Sequence, residues 1–366
     1  MKYPKRIKTL QKTLHRKKLD AILISQPENR RYLCGYRGGD HGIGETSGVL
    51  LVPVEGSIHL LTDFRFELQA KKEAPTAKVH LYPKGLLNLL KKILPQLGIE
   101  KLGFESHYTL HSFAHLLTTQ LKKKGIRCIP SENLVERMRL IKDEEEIAVI
   151  RESVLLNEQV FGDIYKDINS FSTEIDVALA IEMAMRRAGA EDKSFDSIVA
   201  SGGNGALPHA VPTQTKIKKD KPLTIDMGLV LNGYCSDMTR NFVPRKPSKK
   251  YIKLHRLVRK AQLAGIAAIK AGARCCDVDR AARSIIADGG YGPQFGHSLG
   301  HGVGLAVHEG PRLSSANKLK LKAGMIVTVE PGIYLPGWGG IRLENMVVVR
   351  DNGCEVLNQD KTWLDI

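Results

Sequence analysis

The sequence contains no apolar run that approaches the roughly 20 residues needed to span a membrane. Its first six residues, MKYPKR, lack the apolar core of a secretory signal peptide. The six cysteines show no framework spacing, and the adjacent pair Cys275-Cys276 cannot form a relaxed disulfide. These absences argue against a membrane-spanning protein and a disulfide-rich secreted one, so we expect a cytoplasmic protein with reduced thiols.

Acidic residues are few relative to basic ones. The chain has 39 Asp and Glu against 55 Lys and Arg, a formal charge of +16, and such a balance is typical of many nucleic-acid-binding proteins. The basic residues are scattered, however, and aromatic residues do not interleave with them as stacking platforms for bases. We therefore expect a solvated basic surface and no nucleic-acid partner. Steering of peptide carboxylates is a second interpretation of this charge.

The length of the chain indicates two domains, because 366 residues exceed what one hydrophobic core normally organises. The composition, 42% hydrophobic and 26% charged, is that of an ordinary globular protein. The N-terminal part alternates helical patterns with short apolar strands at 20–25, 58–62 and 101–105, which predicts an α/β domain. We place this domain in residues 1–130 and a second domain in residues 131–366.

One order of elements occurs twice in the second domain. Helical patterns over 143–165 and 173–188 precede a set of strands, and helical patterns over 248–270 and 277–288 precede another. Ser248 is a plausible N-cap for the third of these helices. The pattern therefore predicts two similar halves, and a chain of the α+β class.

Two aspartates fall in strand-like runs on either side of a turn signal. The runs TIDMG and CSDMT contain Asp226 and Asp237, and the Asn-Gly pair at 232–233 between them is the strongest short hairpin signal. With a two-residue turn, Asp226 lies opposite Thr239 and diagonal to Asp237. Diagonal neighbours stand ~7–8 Å apart at the backbone, so the two carboxylates can flank metal ions held ~3.5–4 Å apart. A bulge near Gly228 would upset this register.

Three further candidate ligands complete an oxygen-rich set. His301 lies in the run HSLGHGVG, where glycines let the backbone approach whatever the imidazole holds. Glu330 ends the apolar run MIVTV and Glu344 interrupts another, so both are expected to be carboxylates buried in a sheet. A buried, unpaired carboxylate costs several kcal/mol or changes its protonation state. Each residue taken singly is more often an ordinary turn, strand-end or loop residue, but the joint pattern predicts a binuclear metallohydrolase.

At these residues the chain resembles the pita-bread metallopeptidases, a family that includes methionine aminopeptidase, Xaa-Pro aminopeptidase and prolidase. The spacing of 11 residues between the two aspartates matches the family. The family's ligand order Asp, Asp, His, Glu, Glu falls on Asp226, Asp237, His301, Glu330 and Glu344. The resemblance implies a fold in which two related halves clamp a metal centre between antiparallel sheets.

The resemblance also implies two divalent metal ions, with manganese preferred and cobalt, zinc or iron as alternatives; one nitrogen and four carboxylates suit these metals. Asp237 and Glu344 would bridge the two ions. Asp226 would bind one ion, and His301 and Glu330 would bind the other. Glu330 would also transfer the proton of the attacking water to the leaving nitrogen, as a general acid and base.

Further residues fall where proline-directed members of this family carry residues around the metals. These are His209 in LPHA, His308 in VHEGPR, His297 and Arg342. His209, His297 and His308 are expected to be catalytic, with oxyanion stabilisation and peptide positioning for His209 and His308; structural packing is the alternative. Arg312 and Arg342 would bind a substrate carboxylate, because arginine forms bidentate pairs with carboxylates.

The N-terminal domain carries a resemblance of its own. The runs RYLCGY at 31–36 and LTDFRF at 61–66 are similar to the creatinase-type domain of prolidases and Xaa-Pro aminopeptidases, which methionine aminopeptidases lack. In proline-directed relatives this domain packs near the metal site of a neighbouring subunit, so the resemblance implies a homodimer.

Together these features predict an exopeptidase that cleaves after the first residue of peptides with proline second, an Xaa-Pro aminopeptidase. An Xaa-Pro dipeptidase (prolidase) is the alternative within the family. A metal-free pita-bread protein that binds nucleic acid or protein partners is the alternative from another class. The presence of all five ligands argues against that third hypothesis and against metal-free, creatinase-like hydrolysis.

Overall fold

The chain forms two compact units that meet between Arg139 and Leu140. The boundary predicted after residue 130 lies a few residues before this division. Within the described residues, no helix has both the length and the apolar character that crossing a membrane requires. The computed structural model describes residues 2–40, 42–361 and 364–366.

The first unit is an α/β domain around one mixed sheet. Its helices are α1 (Lys2–Arg16), α2 (Pro27–Cys34), α3 (Glu67–Glu73), α4 (Leu86–Gln96), α5 (His111–Lys122) and α6 (Glu136–Arg139). Its strands are β1 (Ala21–Ile24), β2 (Val49–Pro53), β3 (Ile58–Thr62), β4 (Ala77–Leu81), β5 (Lys101–Glu105) and β6 (Arg127–Ser131). The strand order is β4-β3-β2-β1-β5-β6, with β1, β2 and β3 antiparallel and the other pairs parallel. The three strands predicted in this region are confirmed as β1, β3 and β5.

The central strands of this sheet are buried along their whole length. Every residue of the β1 sequence AILI and of the β2 sequence VLLVP is buried. Continuous apolar runs of this kind are expected of strands that helices cover on both faces. Leu23 and Leu51 share one hydrophobic cluster with Leu90 of α4 and Leu117 of α5, so these helices pack directly against the sheet.

The second unit contains two helix pairs, each followed by strands. The helices are α7 (Glu144–Lys166), α8 (Glu174–Arg187), α9 (Lys249–Ala268) and α10 (Cys275–Asp288). Between α8 and α9 lie β7 (Asp192–Lys193), β8 (Ile198–Ser201), β9 (Leu223–Met227), β10 (Leu229–Leu231), β11 (Tyr234–Cys235) and β12 (Met238–Phe242). After α10 lie β13 (Gly300–Gly302), β14 (Glu309–Leu313), β15 (Ile326–Val329), β16 (Gly332–Leu335), β17 (Gly339–Arg342), β18 (Asn345–Arg350) and β19 (Gly353–Val356). The predicted repetition of helix, helix and strands is confirmed.

Side-chain caps fix where three of these helices begin. Asp143 and Glu146 form a capping box at α7, and Thr173 and Asp176 form one at α8. Ser248, predicted as an N-cap, accepts a hydrogen bond from a backbone N–H in the first turn of α9. Such caps satisfy backbone donors that a helix leaves open at its start.

The strands of the second unit pair in antiparallel fashion, in the orders β12-β9-β8, β11-β10-β7, β14-β13-β15-β18-β19 and β16-β17. Ile181 of α8 shares a core with Ile225 of β9, whereas Leu254 of α9 shares a second core with Val327 of β15 and Val347 of β18. The helices α8 and α9 thus pack against strands of their own halves, whereas Ile150 of α7 shares a further cluster with Ile326 of β15 and Val348 of β18. This arrangement is the pita-bread architecture that the resemblance implied.

Candidate metal centre

The first two predicted ligands belong to a hairpin with the expected register. Asp226 of β9 pairs with Thr239 of β12, and the Asn-Gly pair at 232–233 has φ angles of 49° and 86°. Positive φ at both positions identifies the type I′ turn of two-residue hairpins. Gly228 lies between β9 and β10, and only glycine fits there because a Cβ would lie 2.1 Å from the carbonyl oxygen of Ser236. The strand pairs on either side keep one register, so no bulge displaces Asp226.

Ligand atoms from separate segments of the second unit converge around one imidazole. Asp237, His301 and Glu344 each offer one ligand atom, and these atoms lie within 4.8 Å of one another. Nε2 of His301 is also 3.5 Å from Oδ2 of Asp237 and 3.4 Å from Oε1 of Glu330. Asp226 lines the same cavity. The structure therefore brings four of the five predicted ligands into direct proximity and places the fifth beside them.

The imidazole of His301 is oriented to bind through Nε2. Its Nδ1 lies 3.1 Å from the carbonyl oxygen of Gly302, and because a carbonyl only accepts, Nδ1 carries the proton. Nε2 therefore presents its lone pair toward Asp237 and Glu330. Burial lowers the pKa of His301 to about 4, which favours the neutral form that a metal ligand requires.

Threonine hydroxyls hold two of the carboxylates. Oγ1 of Thr239 donates to Oε2 of Glu344 at 2.8 Å, and Oγ1 of Thr328 donates to Oε1 of Glu330 at 3.1 Å. Groups that orient metal ligands in this way raise the affinity of a site for its ion. The sequence pattern did not single out Thr328, although it lies on β15, two residues before Glu330.

Asp226 keeps one carboxylate oxygen that the protein does not use. Nη2 of Arg342 donates to Oδ2 of Asp226 at 2.5 Å. Oδ1 is buried and has no hydrogen-bond partner among the described residues. A buried acceptor without a partner costs ~1–3 kcal/mol, and a cation at this oxygen would remove that cost. This oxygen therefore fits the ligand role predicted for Asp226.

The surroundings of three predicted carboxylate ligands favour the protonated, neutral form of each. Desolvation raises the pKa of Asp237, of Glu330 and of Glu344, and the charges of neighbouring carboxylates raise these pKa values further, against the opposing charge of Arg342. Positive charge nearby reverses this preference. Four carboxylates and one neutral imidazole suit manganese, cobalt, iron or zinc, so the residues present fit a pair of divalent ions.

A tyrosine that the sequence analysis missed links two predicted site residues. Nη1 of Arg342 donates to the hydroxyl of Tyr334 at 2.8 Å, and this hydroxyl lies 2.9 Å from Nε2 of His297. Nδ1 of His297 faces the carbonyl oxygen of Ser298 and so carries the ring proton, which leaves Nε2 to accept from Tyr334. Both nitrogens of His297 are thus engaged by the protein, and Tyr334 connects His297 to Arg342.

The guanidinium of Arg342 is fully committed to the protein. Its Nε donates to Oγ1 of Thr239 at 3.0 Å, and Nη1 donates to the carbonyl oxygen of Pro208 at 3.1 Å as well as to Tyr334. With Nη2 on Asp226, all three nitrogens are occupied. Arg342 therefore holds Asp226 in place, whereas the side chain of Arg312 is exposed.

All ten predicted site residues line one cavity of about 650 Å³ within the second unit, a size typical of small-ligand sites. The ring of His308 stands edge-on to that of His301, with centroids 4.3 Å apart. Nε of Arg312 donates to Oγ of Ser298 at 3.0 Å, which orients the exposed guanidinium at the cavity. The cavity residues are His209, Asp226, Asp237, His297, His301, His308, Arg312, Glu330, Arg342 and Glu344.

A buried ion pair supports the strand that follows His308. Nζ of Lys142 lies 2.6 Å from Oε1 of Glu309, and the lysine side chain is only 2% exposed. Burying such a pair is favourable only with close geometry, and this short contact provides it. The partners are 167 residues apart in the chain, so no local sequence pattern could have joined them.

Comparison with known proteins agrees with this geometry. The chain matches the model of metallopeptidase family M24 over residues 148–351 and that of the creatinase/prolidase N-terminal domain over residues 6–141. It is 33% identical to an Xaa-Pro dipeptidase of Pyrococcus horikoshii over 98% of each chain. It is similar to the structure of an Xaa-Pro dipeptidase from Bacillus anthracis, with 36% identity, a TM-score of 0.89 and 98% of both chains covered. It is also similar to an X-Pro aminopeptidase structure from Thermotoga maritima MSB8, with 34% identity, a TM-score of 0.85, and 95% of this chain and 98% of that one covered.

Proposed function

The chain belongs to metallopeptidase family M24, and from this premise we propose that it is an exopeptidase that removes the first residue of peptides with proline second. The observation that carries the proposal is the set of buried carboxylates around His301, whose oxygens and imidazole nitrogen fit divalent cations. Likeness over nearly the full length to Xaa-Pro dipeptidases and to an X-Pro aminopeptidase supports the preference for proline.

The proposed centre holds two divalent ions, with manganese preferred and cobalt, iron or zinc as alternatives. Asp237 and Glu344 would be the shared ligands, Asp226 would bind one ion, and His301 and Glu330 would bind the other. When bound, the ions supply Lewis acidity and lower the pKa of the attacking water toward neutrality. The close approach of Asp237, His301 and Glu344 supports the binding of an ion between them.

Glu330 is the proposed carrier of the proton. Its carboxyl lies among the proposed ligands, with Oε1 3.4 Å from Nε2 of His301, and in this position it can take a proton from water and release it to the leaving prolyl nitrogen. The hydrogen bond from Thr328 fixes Oε1 while this occurs. His308 and His209, on the wall of the same cavity, donate to the oxygen that gains negative charge at the scissile carbonyl.

The proposed preference for proline has a simple physical basis. Proline has no backbone N–H, and the cavity wall includes the apolar side chains of Phe195, Ile198 and Pro212. Any other residue at the second position would bring a donor that such a wall cannot satisfy. An unpaired buried donor costs ~1–3 kcal/mol, which is about 5- to 150-fold in rate or affinity.

A dipeptidase is the second candidate, and Arg312 is the observation that favours it. The carboxylate of an Xaa-Pro dipeptide lies one residue beyond the scissile bond, within the reach of a side chain at the cavity. The oriented guanidinium of Arg312 matches a carboxylate in bidentate geometry. A longer peptide has no carboxylate at that point and would not use this contact.

The experiment measures release of free alanine from Ala-Pro, Ala-Pro-Ala and Ala-Ala by protein stripped of metal and reloaded with Mn²⁺. Cleavage of the proline peptides at least about 10-fold faster than of Ala-Ala supports the proposal. A preference for Ala-Pro over Ala-Pro-Ala that disappears in Arg312→Met identifies a dipeptidase, with Arg280→Met, an exposed arginine on α10, as the matched control. Absence of alanine release from all three peptides would refute the peptidase assignment.

We further propose that the protein is a homodimer and acts in the cytoplasm. The likeness of the first unit to the creatinase/prolidase N-terminal domain supports the dimer. Light scattering on the purified protein tests it, because a dimer has twice the 40.5 kDa mass of the chain. Cell fractionation tests the compartment.

A further inference from the structure

Glu174, the first residue of α8, is a fully buried carboxylate outside the proposed metal ligands. Its Oε1 accepts hydrogen bonds from the backbone N–H of Ser201 at 2.7 Å and from Nδ2 of Asn204 at 3.1 Å. Its Oε2 accepts from Nδ2 of Asn204 at 2.9 Å, and from the backbone N–H and the hydroxyl of Thr213 at 3.1 and 2.9 Å. One carboxylate thus collects donors from three residues that are far from it in the chain.

These donors stand at the two ends of the segment that carries His209. Ser201 ends β8, and Thr213 follows residues 202–212, which we call the His209 loop. Residues 208–212 of this loop line the cavity. Because the same side chain binds both ends, Glu174 fixes the separation of the two ends as well as their position relative to α8.

Apolar packing contributes little to holding the His209 loop. Leu207 and Val211 are 60% and 74% exposed, and Ala210 is the one buried hydrophobic side chain in the loop. The middle of the loop is held by the hydrogen bond from Nη1 of Arg342 to the carbonyl oxygen of Pro208. Segments with few buried apolar contacts open readily unless hydrogen bonds restrain them, so the hydrogen bonds to Glu174 help to fix the position of the loop.

The stability of the fold does not by itself explain why residue 174 is a glutamate. A buried carboxylate is unfavourable unless donors surround it, and an apolar side chain of similar volume often serves stability as well or better. The positive end of the α8 dipole offsets part of that penalty. What the carboxylate provides, and an apolar side chain would not, is directional control of both ends of a loop.

We propose that Glu174 is a positioning residue for the peptidase reaction, which holds the imidazole of His209 and the adjoining cavity wall against the substrate. Glu174 touches neither the substrate nor the proposed ligands; it acts through Ser201, Asn204 and Thr213. The proposal rests on the proposed function for its kinetic consequence. Its structural part, the anchoring of the loop, stands apart from that function.

The kinetic test uses Glu174→Gln, whose amide group directs N–H toward donors of the His209 loop. We expect kcat/KM for Ala-Pro to fall about 10- to 100-fold, because small displacements of positioning groups have effects of this size, while the metal content is unchanged. The matched control is Glu182→Gln, on the same helix, whose carboxylate pairs with Lys193 instead.

Coupling to His209 separates positioning from a general loss of stability. If Glu174 acts through His209, adding Glu174→Gln to the His209→Ala variant should lower kcat/KM by less than about twofold. The reason is that the effects of coupled residues are not additive. Activity of Glu174→Gln equal to that of the unaltered protein would overturn the proposal. An equal loss in both backgrounds would also overturn it.

Hydrogen exchange provides a readout that does not need peptidase activity. Amides of residues 202–212 should exchange about 10-fold or more faster in Glu174→Gln than in Glu182→Gln, because the loop opens more often, while β9 and β12 stay protected. Unchanged exchange in the loop would refute the anchoring even if the protein proved to have another activity. Should Glu174→Gln not fold, Thr213→Val removes the hydroxyl that donates to Glu174 and accepts from the backbone N–H of Thr215, and the same increase in exchange across residues 202–212 is then required of it.

Discussion

Thr239 and Glu344 are joined twice across the two halves of the second unit. The hydroxyl of Thr239 donates to Oε2 of Glu344 at 2.8 Å, and the backbone N–H of Glu344 donates to the carbonyl oxygen of Thr239 at 3.2 Å. The two residues are 105 positions apart. The hairpin of the first half therefore orients the side chain of Glu344, a proposed shared ligand from the second half. Substitutions in this hairpin should therefore change the affinity for metal.

The first prediction is that Thr239→Val weakens metal binding without unfolding the protein. The variant keeps the shape of the side chain but removes the donor to Glu344 and the acceptor for Nε of Arg342. Loss of such an orienting group typically costs 10- to 100-fold in metal affinity, and we expect a loss of about that size by competition with a chelator. Thr9→Val, at an exposed position on α1, should leave the affinity unchanged; an unchanged affinity in Thr239→Val would contradict the role given to this hydroxyl.

The second prediction concerns Asp237→Asn. Desolvation and the charges of Glu344 and Asp226 disfavour an ionised Asp237 in the absence of metal, so a neutral amide should make the metal-free protein more stable. We expect the Tm of the metal-free variant, measured in chelator, to rise by a few degrees. For a unit of this size, that rise corresponds to a gain of about 1 kcal/mol in the free energy of unfolding. The same variant should lose the Tm gain that metal gives the unaltered protein, and its activity. If metal raises the Tm of Asp237→Asn as much as it raises that of the unaltered protein, Asp237 is not a metal ligand.

The third prediction separates proton transfer from metal binding. Glu330→Gln retains an oxygen that can accept from Thr328 but removes the group that takes and returns a proton. We expect kcat to fall on the order of 10²-fold or more, while much of the bound metal remains. Turnover within a few fold of the unaltered protein, at equal metal content, would assign the proton transfer to another residue.

The fourth prediction is an acid sensitivity of the first unit. Nδ1 of His59 on β3 lies 3.0 Å from Nε2 of His80 on β4. Burial, and then the neighbouring charges, lower the pKa of His59 to about 4, and burial lowers that of His80. Because both folded pKa values lie below the unfolded value near 6.5, the unfolded chain binds more protons at acid pH and stability falls as pH drops from about 6.5 toward 4.

Urea midpoints at pH 7 and pH 5, in chelator, measure this loss. His59→Gln should reduce the difference between the two midpoints, whereas His111→Gln, an exposed histidine on α5, should not. Equal differences in the two variants would show that the acid sensitivity arises elsewhere in the protein.

The sequence predicted those parts of the site that local patterns determine. The Asn-Gly pair at 232–233 fixed a two-residue turn, and the turn fixed Asp226 opposite Thr239, as the strand register confirms. The apolar runs around Glu330 and Glu344 predicted carboxylates buried in a sheet; in the structure Glu330 directly follows β15 and Glu344 directly precedes β18. The repeated order of helices and strands likewise follows from local periodicity and caps.

Contacts between distant segments could not be predicted in this way. Tyr334, Lys142 and Glu174 owe their roles to partners brought near by the fold, and none of the three stands in a local pattern that marks it. Arg342 was expected to meet a substrate carboxylate, but only the folded chain reveals that Thr239 and Asp226 already occupy its nitrogens. A local pattern indicates which side chains are buried; which partners satisfy them depends on the tertiary structure.

Metal content measured together with alanine release from Ala-Pro tests the central claim most directly. Mn²⁺ is titrated into metal-free protein, and bound metal and activity are followed in the same samples. The account predicts that activity rises with bound metal and reaches its maximum near two ions per chain, as expected of a binuclear site, and that Asp237→Asn abolishes this behaviour. Full activity in metal-free protein would contradict the account. So would an Asp237→Asn variant whose activity still rises with bound metal to the same maximum.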